Sequence, residues 1–353
     1  MNVSVVIPTR NRARSLTRLL RSLSLQTHPL AEVIIVDASE PSLQLSALQG
    51  QFPRLSIRLF HSKPSVCAQR NLGIREAASD YIFLCDDDME VPQEYVWNIM
   101  SYLSKNIDSG AVSGLVSEPK ENGTFNDGFY PVSLSTLVSN FIFQNTVWTD
   151  LDKMNVRFPG SLLLFGVRQF YKGRGNTFTL AGWPLLTEVQ HPITRTAIYG
   201  LGGSIIRKDW LTRSPFDESL DESGIGDNYG VSLGFPGTMP IAVLTNIPIY
   251  HHKVPDNRLA RSEAYLRRVL ALDYFMSKNE RFSVLNRLLL RWSVVGNLLG
   301  SLLNGQREMS SAAFQTLWML LRNENPYMQG QRAFNMGMQL HPGTASTSDH
   351  PKL

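Results

Sequence analysis

The segment Tyr81-Ile-Phe-Leu-Cys-Asp86-Asp87-Asp88-Met89 sets five apolar residues directly before three consecutive carboxylates. A short run rich in β-branched and aromatic side chains reads as a buried strand, and the acids begin where that strand should end. Adjacent carboxylates repel one another. A cation is therefore expected among them, most simply a divalent metal with oxygen ligands. In open α/β sheets, ligands gather beyond the carboxyl ends of the strands. The plain alternative is a helix cap, because Pro92 and Glu94 follow at the spacing of a helix start. On these residues alone the two readings stand level.

The 353 residues are enough for two domains, or for one large α/β domain with an appendage. With 43% hydrophobic and 10% aromatic residues, the chain can bury a substantial core and is not of disordered composition. The net charge of +4 comes from scattered arginines rather than a basic tract. That balance favours anionic partners such as sugar nucleotides or lipid headgroups and argues against nucleic acid. Only two cysteines occur, Cys67 and Cys85, which points to a reducing, cytoplasmic compartment. The first residues carry no basic leader followed by an apolar region, so no secretory signal is expected. Residues 128 to 149 are uncharged, but Ser133, Ser135, Thr136, Ser139, Asn140, Gln144, Asn145 and Thr146 make them too polar for a membrane span.

Taken in order, residues 3–7 read as a strand closed by Pro8, and residues 14–25 as a helix with Leu16, Leu19, Leu20 and Leu23 on one face. Residues 32–36 form a second strand ending at Asp37. A short helix over 41–48, a third strand over 55–60 and a helix over 65–78 lead into the strand before the acids. Strands alternating with helices predict βαβ units and a doubly wound, mostly parallel sheet with helices on both faces. A helix over 94–102 and a strand over 110–117 continue the pattern. Residues 118–199 mix loop chemistry with apolar pieces and read only as an insertion or acceptor-side region. Tyr199-Gly-Leu-Gly-Gly-Ser-Ile-Ile-Arg207 is a glycine-rich turn entering a strand, without the strand-turn-helix context of a dinucleotide fingerprint. A second acidic cluster, Asp217, Glu218, Asp221, Glu222 and Asp227, is interleaved with glycines. Residues 241–250 form a strand ending in His251-His252. From a soft boundary near 256 to about 341 the chain reads as a helical C-terminal region, and 342–353 as a disordered tail.

Four stretches together resemble the family 2 glycosyltransferases, inverting enzymes of GT-A fold: Val5-Val-Ile-Pro-Thr-Arg-Asn11, Val33-Ile-Ile-Val-Asp37, Arg70-Asn-Leu-Gly73 and Leu84-Cys-Asp-Asp-Asp88. They occur in the family's order, and coverage is good for residues 1–115 and thinner for 199–255. The resemblance implies a GT-A domain over 1–255, with a nucleotide-sugar half at 1–115 and an acceptor and catalytic half at 200–255. It implies a donor site built from Pro8, Thr9, Arg10, Asp37, Arg70, Asn71, Asp86 and Asp87. Alone, an Asp after a strand is more often a turn or cap residue, and an Arg on a helix is usually solvated.

The acids at 86–88 look like the family's DXD element, which implies Mg²⁺ or Mn²⁺ held by Asp86 and Asp88, with His251 or His252 completing the shell. Adjacent histidines on a strand point in different directions, so at most one is expected to ligate. Inverting transfer needs a base that takes the acceptor's proton. The matching segment is Gly224-Ile-Gly-Asp227-Asn228, which implies Asp227 as base. It departs from the family pattern at Gly226, where an acid is usual, leaving Asp221 and Glu222 as substitutes. Gly202, Gly203 and Ser204 resemble the turn that lines the acceptor.

These implications add up to an enzyme transferring sugar from a nucleoside-diphosphate sugar to a saccharide or lipid-linked saccharide, in polysaccharide or glycoconjugate synthesis. Two rivals remain: a non-catalytic carbohydrate-binding or scaffold protein on a GT-A frame, and a sugar nucleotidylyltransferase. The second lacks its glycine-rich loop here, because Pro8-Thr-Arg-Asn-Arg12 has no glycine. Finally, Leu285, Leu288, Trp292, Val295, Leu299, Leu302 and Leu303 share one helical face flanked by Arg287 and Arg291. The stripe at 284–304 suggests peripheral contact with the inner face of a membrane, although such stripes more often pack on their own domain.

Overall fold

The computed structural model describes residues 1–120, 124–126, 132–220, 222–253 and 259–329. In chain order, the first part runs β1 (Val3–Thr9), α1 (Ala13–Leu23), β2 (Glu32–Asp37), α2 (Leu45–Gln51), β3 (Ile57–His61), α3 (Val66–Glu76), β4 (Tyr81–Cys85), β5 (Met89–Glu90), α4 (Tyr95–Lys105) and β6 (Ala111–Ser117). The middle holds α5 (Leu134–Phe143), β7 (Val147–Trp148), α6 (Gly160–Lys172), β8 (Leu185–Leu186) and β9 (Ile193–Thr196). There follow β10 (Gly203–Arg207), α7 (Lys208–Arg213), α8 (Asp227–Leu233), β11 (Ile241–His251), α9 (Arg261–Lys278), α10 (Val284–Leu303) and α11 (Arg307–Leu321). The expected disordered tail and the boundary near 256 lie outside the described residues.

β1 and β2 are buried at every position, the mark of strands covered on both faces. Val6, Ile34, Val36, Ile82 and Leu84 face one side, against Cys67 and Ile74 of α3 and Leu270 of α9. Val5, Ile7, Val33, Ile35 and Phe83 face the other, against Leu16 and Leu19 of α1 and Ile99 of α4. Side-chain alternation along each strand thus feeds two cores, and helices cover both faces.

The sheet runs β3-β2-β1-β4-β10-β6-β11-β5, with β9 also on β11. The β1–β2, β2–β3, β1–β4 and β6–β11 pairs are parallel. β10 is antiparallel to both neighbours, β4 and β6. From β1 the chain first builds outward through β2 and β3, then returns to lay β4 on the other side of β1. That reversal creates a crevice at the carboxyl ends of β1 and β4, where ligands of doubly wound sheets collect.

The 118–199 region is integrated with the rest. β9 extends the main sheet by pairing Ile193–Thr196 with residues 241–244 of β11. A small apolar cluster of Leu137, Val147, Leu164, Val167 and Tyr171 joins α5 and α6. Trp183 Nε1 donates to Ser293 Oγ of α10 at 2.8 Å. Among the described residues, no helix is long and apolar enough to cross a membrane.

Tyr95 ties α4 to the sheet centre: its hydroxyl donates to the Gly203 carbonyl and accepts from the Gly114 N–H at 2.8 Å, fully out of solvent. Tyr95→Phe leaves two buried backbone groups unpaired. It is expected to lower the unfolding free energy by about 1–3 kcal/mol, read as a lower urea midpoint with an unchanged slope.

Candidate functional site

Three consecutive residues of α3 organise the crevice. Gln69 Nε2 donates to the Thr9 carbonyl at 2.9 Å and the Val36 carbonyl at 2.7 Å, holding the ends of β1 and β2 together. Arg70 Nη2 donates to Asp86 Oδ1 at 2.5 Å, and its Nη1 donates to Asp227 Oδ2. Asn71 donates to the Phe216 carbonyl and the Glu218 carboxylate, and accepts from the Phe216 N–H. The Arg70 guanidinium lies 5.0 Å over the Phe216 ring.

Each acid after β4 meets at least one cation, and Arg12 serves two of them. Asp86 is on Arg70. Asp87 accepts from Thr9 Oγ1 at 2.8 Å and from Arg12 Nη1 at 3.1 Å. Asp88 has Arg12 at 3.7 Å on one oxygen and His251 Nε2 at 3.2 Å on the other. The far nitrogen of His251 lies 3.6 Å from Glu118, which also pairs with Lys253. β11 supplies this histidine in register: His251 pairs with Met89, and the His252 N–H donates to the Asp88 carbonyl at 3.0 Å. His252 itself turns to Glu90 at 2.7 Å. The two histidines therefore face different acids, as strand alternation requires.

Other expected residues have partners within the fold. Asp37 is buried, with one oxygen on the Ser39 N–H at 3.0 Å and the other on the Leu43 N–H at 2.8 Å. Such bonds shape a turn. Arg10 reaches Glu222 at 2.7 Å in a half-exposed pair. Pro8 is buried within β1, opposite Val36. Ser204 is fully buried, its hydroxyl on the Gly200 carbonyl at 3.2 Å. Gly202 accepts at its carbonyl from the Asp86 N–H at 3.0 Å. A Cβ there would fall 2.0 Å from Asp86 Oδ2, so only glycine lets the turn close over that carboxylate. Asp221 lies outside the described residues.

Reading the sequence missed Arg12, Glu118 and Gln69. Arg12 was within reach, as the second arginine of Arg10-Asn-Arg12 beside an acid triplet in need of cations. Glu118 and Gln69 carry no local signal, because their roles depend on where β6 and α3 come to rest.

The electrostatics follow from burial and alternating charge. Burial pushes the Asp87 carboxyl up to about 6 despite Arg12 and Thr9, with Asp88 adding repulsion. Burial raises the Cys85 thiol, and the three aspartates reinforce this. Burial alone would lower the Arg70 guanidinium, but the Asp227 and Asp86 charges raise it overall. His251 is likewise lowered by burial and raised more strongly by Asp88, Glu118 and Asp86, to about 9. Among the described residues, no three His, Cys, Asp or Glu side chains are gathered as a ready metal set. Asp88 Oδ1, buried, and His251 Nε2, partly buried, nevertheless confront each other at 3.2 Å. A carboxylate oxygen and an imidazole nitrogen so placed suit a divalent ion once the imidazole proton leaves.

Comparison with known proteins bears on the same part of the chain. Residues 4–152 match the model of glycosyl transferase family 2. An uncharacterized glycosyltransferase of Bacillus subtilis, YwdF, is 37% identical over 134 residues, 38% of this chain and 48% of that protein. The chondroitin synthase of Pasteurella multocida is 33% identical over 113 residues, 31% of this chain and 12% of that protein. The chain thus spans about half, or less, of the curated relatives it matches. The crystal structure of S. aureus TarS 1-349 in complex with UDP-GlcNAc aligns with a TM-score of 0.52, covering 94% of this chain and 93% of that one at 15% identity. That likeness concerns the fold, and it agrees with the expected GT-A architecture and helical C-terminal extension.

The His251 shift gives stability a pH dependence. A group raised from 6.5 to about 9 on folding stabilises fully below pH 6.5, and that contribution fades as the pH climbs toward about 9. The loss is on the order of 3 kcal/mol. Metal-free thermal melts should fall across this window, and His251→Gln should flatten the slope there.

Proposed function

We propose that this chain, whose residues 4–152 match glycosyl transferase family 2, is an inverting, metal-assisted glycosyltransferase. The donor is a nucleoside-diphosphate sugar, and the acceptor is a saccharide or lipid-linked saccharide in polysaccharide or glycoconjugate synthesis. The observation that carries this reading is the convergence of Asp86 and Asp227 on one buried guanidinium, Arg70. It sets the donor-side acid and the candidate base in one crevice, although they come from opposite sides of the 118–199 region. The chondroitin synthase likeness supports a polysaccharide setting, and the TarS complex makes UDP-GlcNAc the first donor to try. Cys67 and Cys85 are both buried and not joined in a disulfide, which agrees with a reducing, cytoplasmic setting.

Inverting transfer is a single displacement at the anomeric carbon, so a carboxylate must take the acceptor hydroxyl's proton opposite the leaving group. Asp227 begins α8 with Oδ2 on Arg70 and Oδ1 on the Asn228 N–H at 2.6 Å. Held this way, both carboxylate oxygens already accept hydrogen bonds, so neither is open to an acceptor hydroxyl until Arg70 moves. A donor diphosphate is a strong competing anion for Arg70. Drawing the guanidinium toward the phosphates frees Asp227, so the base becomes competent when the donor is present. Asp88 and His251 would hold Mg²⁺ or Mn²⁺, which neutralises the charge that builds on the departing nucleoside diphosphate. Asp86 would serve as a further ligand only on releasing Arg70. Thr9 and Arg12 fix Asp87 and keep the β1 loop against the acids. Gly202 and Gly203 leave room for an acceptor to approach the backbone.

A non-catalytic carbohydrate-binding protein on the same frame is favoured by one feature: Gly226 stands where an acid is usual. Turnover separates the two. Thermal shifts across a panel of nucleotide sugars, with and without Mn²⁺, should single out a donor that stabilises the protein more with the ion. With that donor, Asp227→Asn should lower kcat by about 10²–10⁴-fold while donor affinity is kept or increased, because Arg70 no longer leaves a carboxylate to meet the diphosphate. Unchanged turnover would remove Asp227 as the base. A donor that binds without any transfer by the unmodified protein would favour the binding reading.

A further inference from the structure

The helices most distant in sequence from the acid triplet leave a broad apolar surface uncovered. On α10, Leu285, Leu288, Trp292, Leu299 and Leu302 are all exposed, and Leu303 is 89% exposed. Their spacing puts them on one stripe opposite the buried Leu290, Val294 and Ser301. α11 adds Phe314, Trp318 and Leu321, while α6 and its approach add Phe158, Leu162 and Phe165.

These elements are neighbours. The Trp292 ring lies 5.0 Å from Phe143 of α5, and its Nε1 donates to the Ile142 carbonyl at 2.9 Å. Arg291 of α10 donates to the Leu320 carbonyl of α11 at 3.1 Å. Phe141 of α5 meets Phe170 of α6 edge-on at 5.1 Å. Monomeric proteins rarely expose contiguous apolar area on this scale without a use for it.

Charge decides the occupant. α5 carries no charge, residues 154–172 contain Arg157, Arg168 and Lys172 and no acid, and residues 284–307 contain Arg287, Arg291 and Arg307 and no acid. α11 contributes a single acid, Glu308. A second copy docking through the same surface would set arginine rims against each other, which is unfavourable. Of these cations, Arg287 pairs with Asp273 and Lys172 with Asp152, whereas Arg157, Arg291 and Arg307 form no ion pair with an acid among the described residues, and a layer of anionic headgroups supplies counter-charge to them. Exposed Trp292 and Trp318 offer rings with a polar edge, the type enriched at the membrane boundary. No described helix can cross a bilayer, so contact means lying on it. We propose that the face formed by α5, α6, α10 and α11 docks the protein onto an anionic membrane surface. The proposal does not depend on the transfer reaction, because binding is measured without donor or acceptor.

The full chain should cosediment with phosphatidylcholine vesicles containing phosphatidylglycerol, not with phosphatidylcholine alone, and high salt should release it. Leu288→Glu with Leu302→Glu should abolish the binding. Arg307→Ala, which leaves the apolar surface intact, should weaken it about fivefold. Unchanged thermal midpoints certify that the variants fold, and Arg307→Ala keeps the test decisive if the double variant does not. Absence of binding to either vesicle would overturn the proposal. So would a concentration-dependent dimer in ultracentrifugation that the leucine substitutions dissolve, since a second copy would then cover the face.

Discussion

A buried guanidinium between two carboxylates is the interaction on which this site rests. Arg70 is almost wholly enclosed, and Asp227 is only slightly more open. Burying such charges is costly, and the cost is offset only where partners and geometry are complete. Completeness here comes from α3. Ser65 accepts the Ala68 N–H at 3.3 Å to start the helix, and Gln69, Arg70 and Asn71 then fan out to three different segments. One ties β1 to β2, one ties the acid loop to α8, and one holds the 216–218 turn. The ends of two strands and the start of a later helix are thus referenced to a single turn of helix.

The same arrangement carries a tension between stability and chemistry. Without a ligand, Arg70, Arg12 and His251 each neutralise a member of the acid triplet. The cluster that looked short of cations as a linear sequence is supplied by residues from β11, α3 and the loop after β1. Any anionic or cationic ligand must enter by exchange, taking a partner from one group and returning one to another. Exchange of this kind lets binding reorder protonation and pairing without moving the sheet.

Much of this was legible in the residues. β1, β2 and β4 announce themselves as apolar runs because both faces are covered, and their alternation with helices fixes the parallel core. The acid triplet marks the strand end, and four spaced stretches imply the family. Asp86 and Asp227 stand out separately in the sequence, and the fold brings both to Arg70. What stayed hidden depends on distant pairing. The antiparallel direction of β10 is written nowhere in residues 203–207 and is set by neighbours from two other parts of the chain. Asp37 and Asn71 have the composition of ligand-binding residues, yet their hydrogen bonds go to backbone and to Glu218. The 118–199 region alternates short apolar pieces with turns, too briefly for periodicity to speak, and only its packing on α10 and β11 gives it form.

The late arrival of β10 between β4 and β6 has a consequence for biosynthesis. β4 is complete at Cys85 but keeps an open edge until Arg207 has been made, about 120 residues later. At roughly 5–20 residues per second, that edge waits about 6–24 s on a translating ribosome. During that interval the aspartates already exist, but the glycine that closes over Asp86 and the carboxylate that balances Arg70 do not. The nascent half therefore carries an unpaired strand and an unfinished charge cluster, which makes it the stretch where a holding chaperone has most to protect.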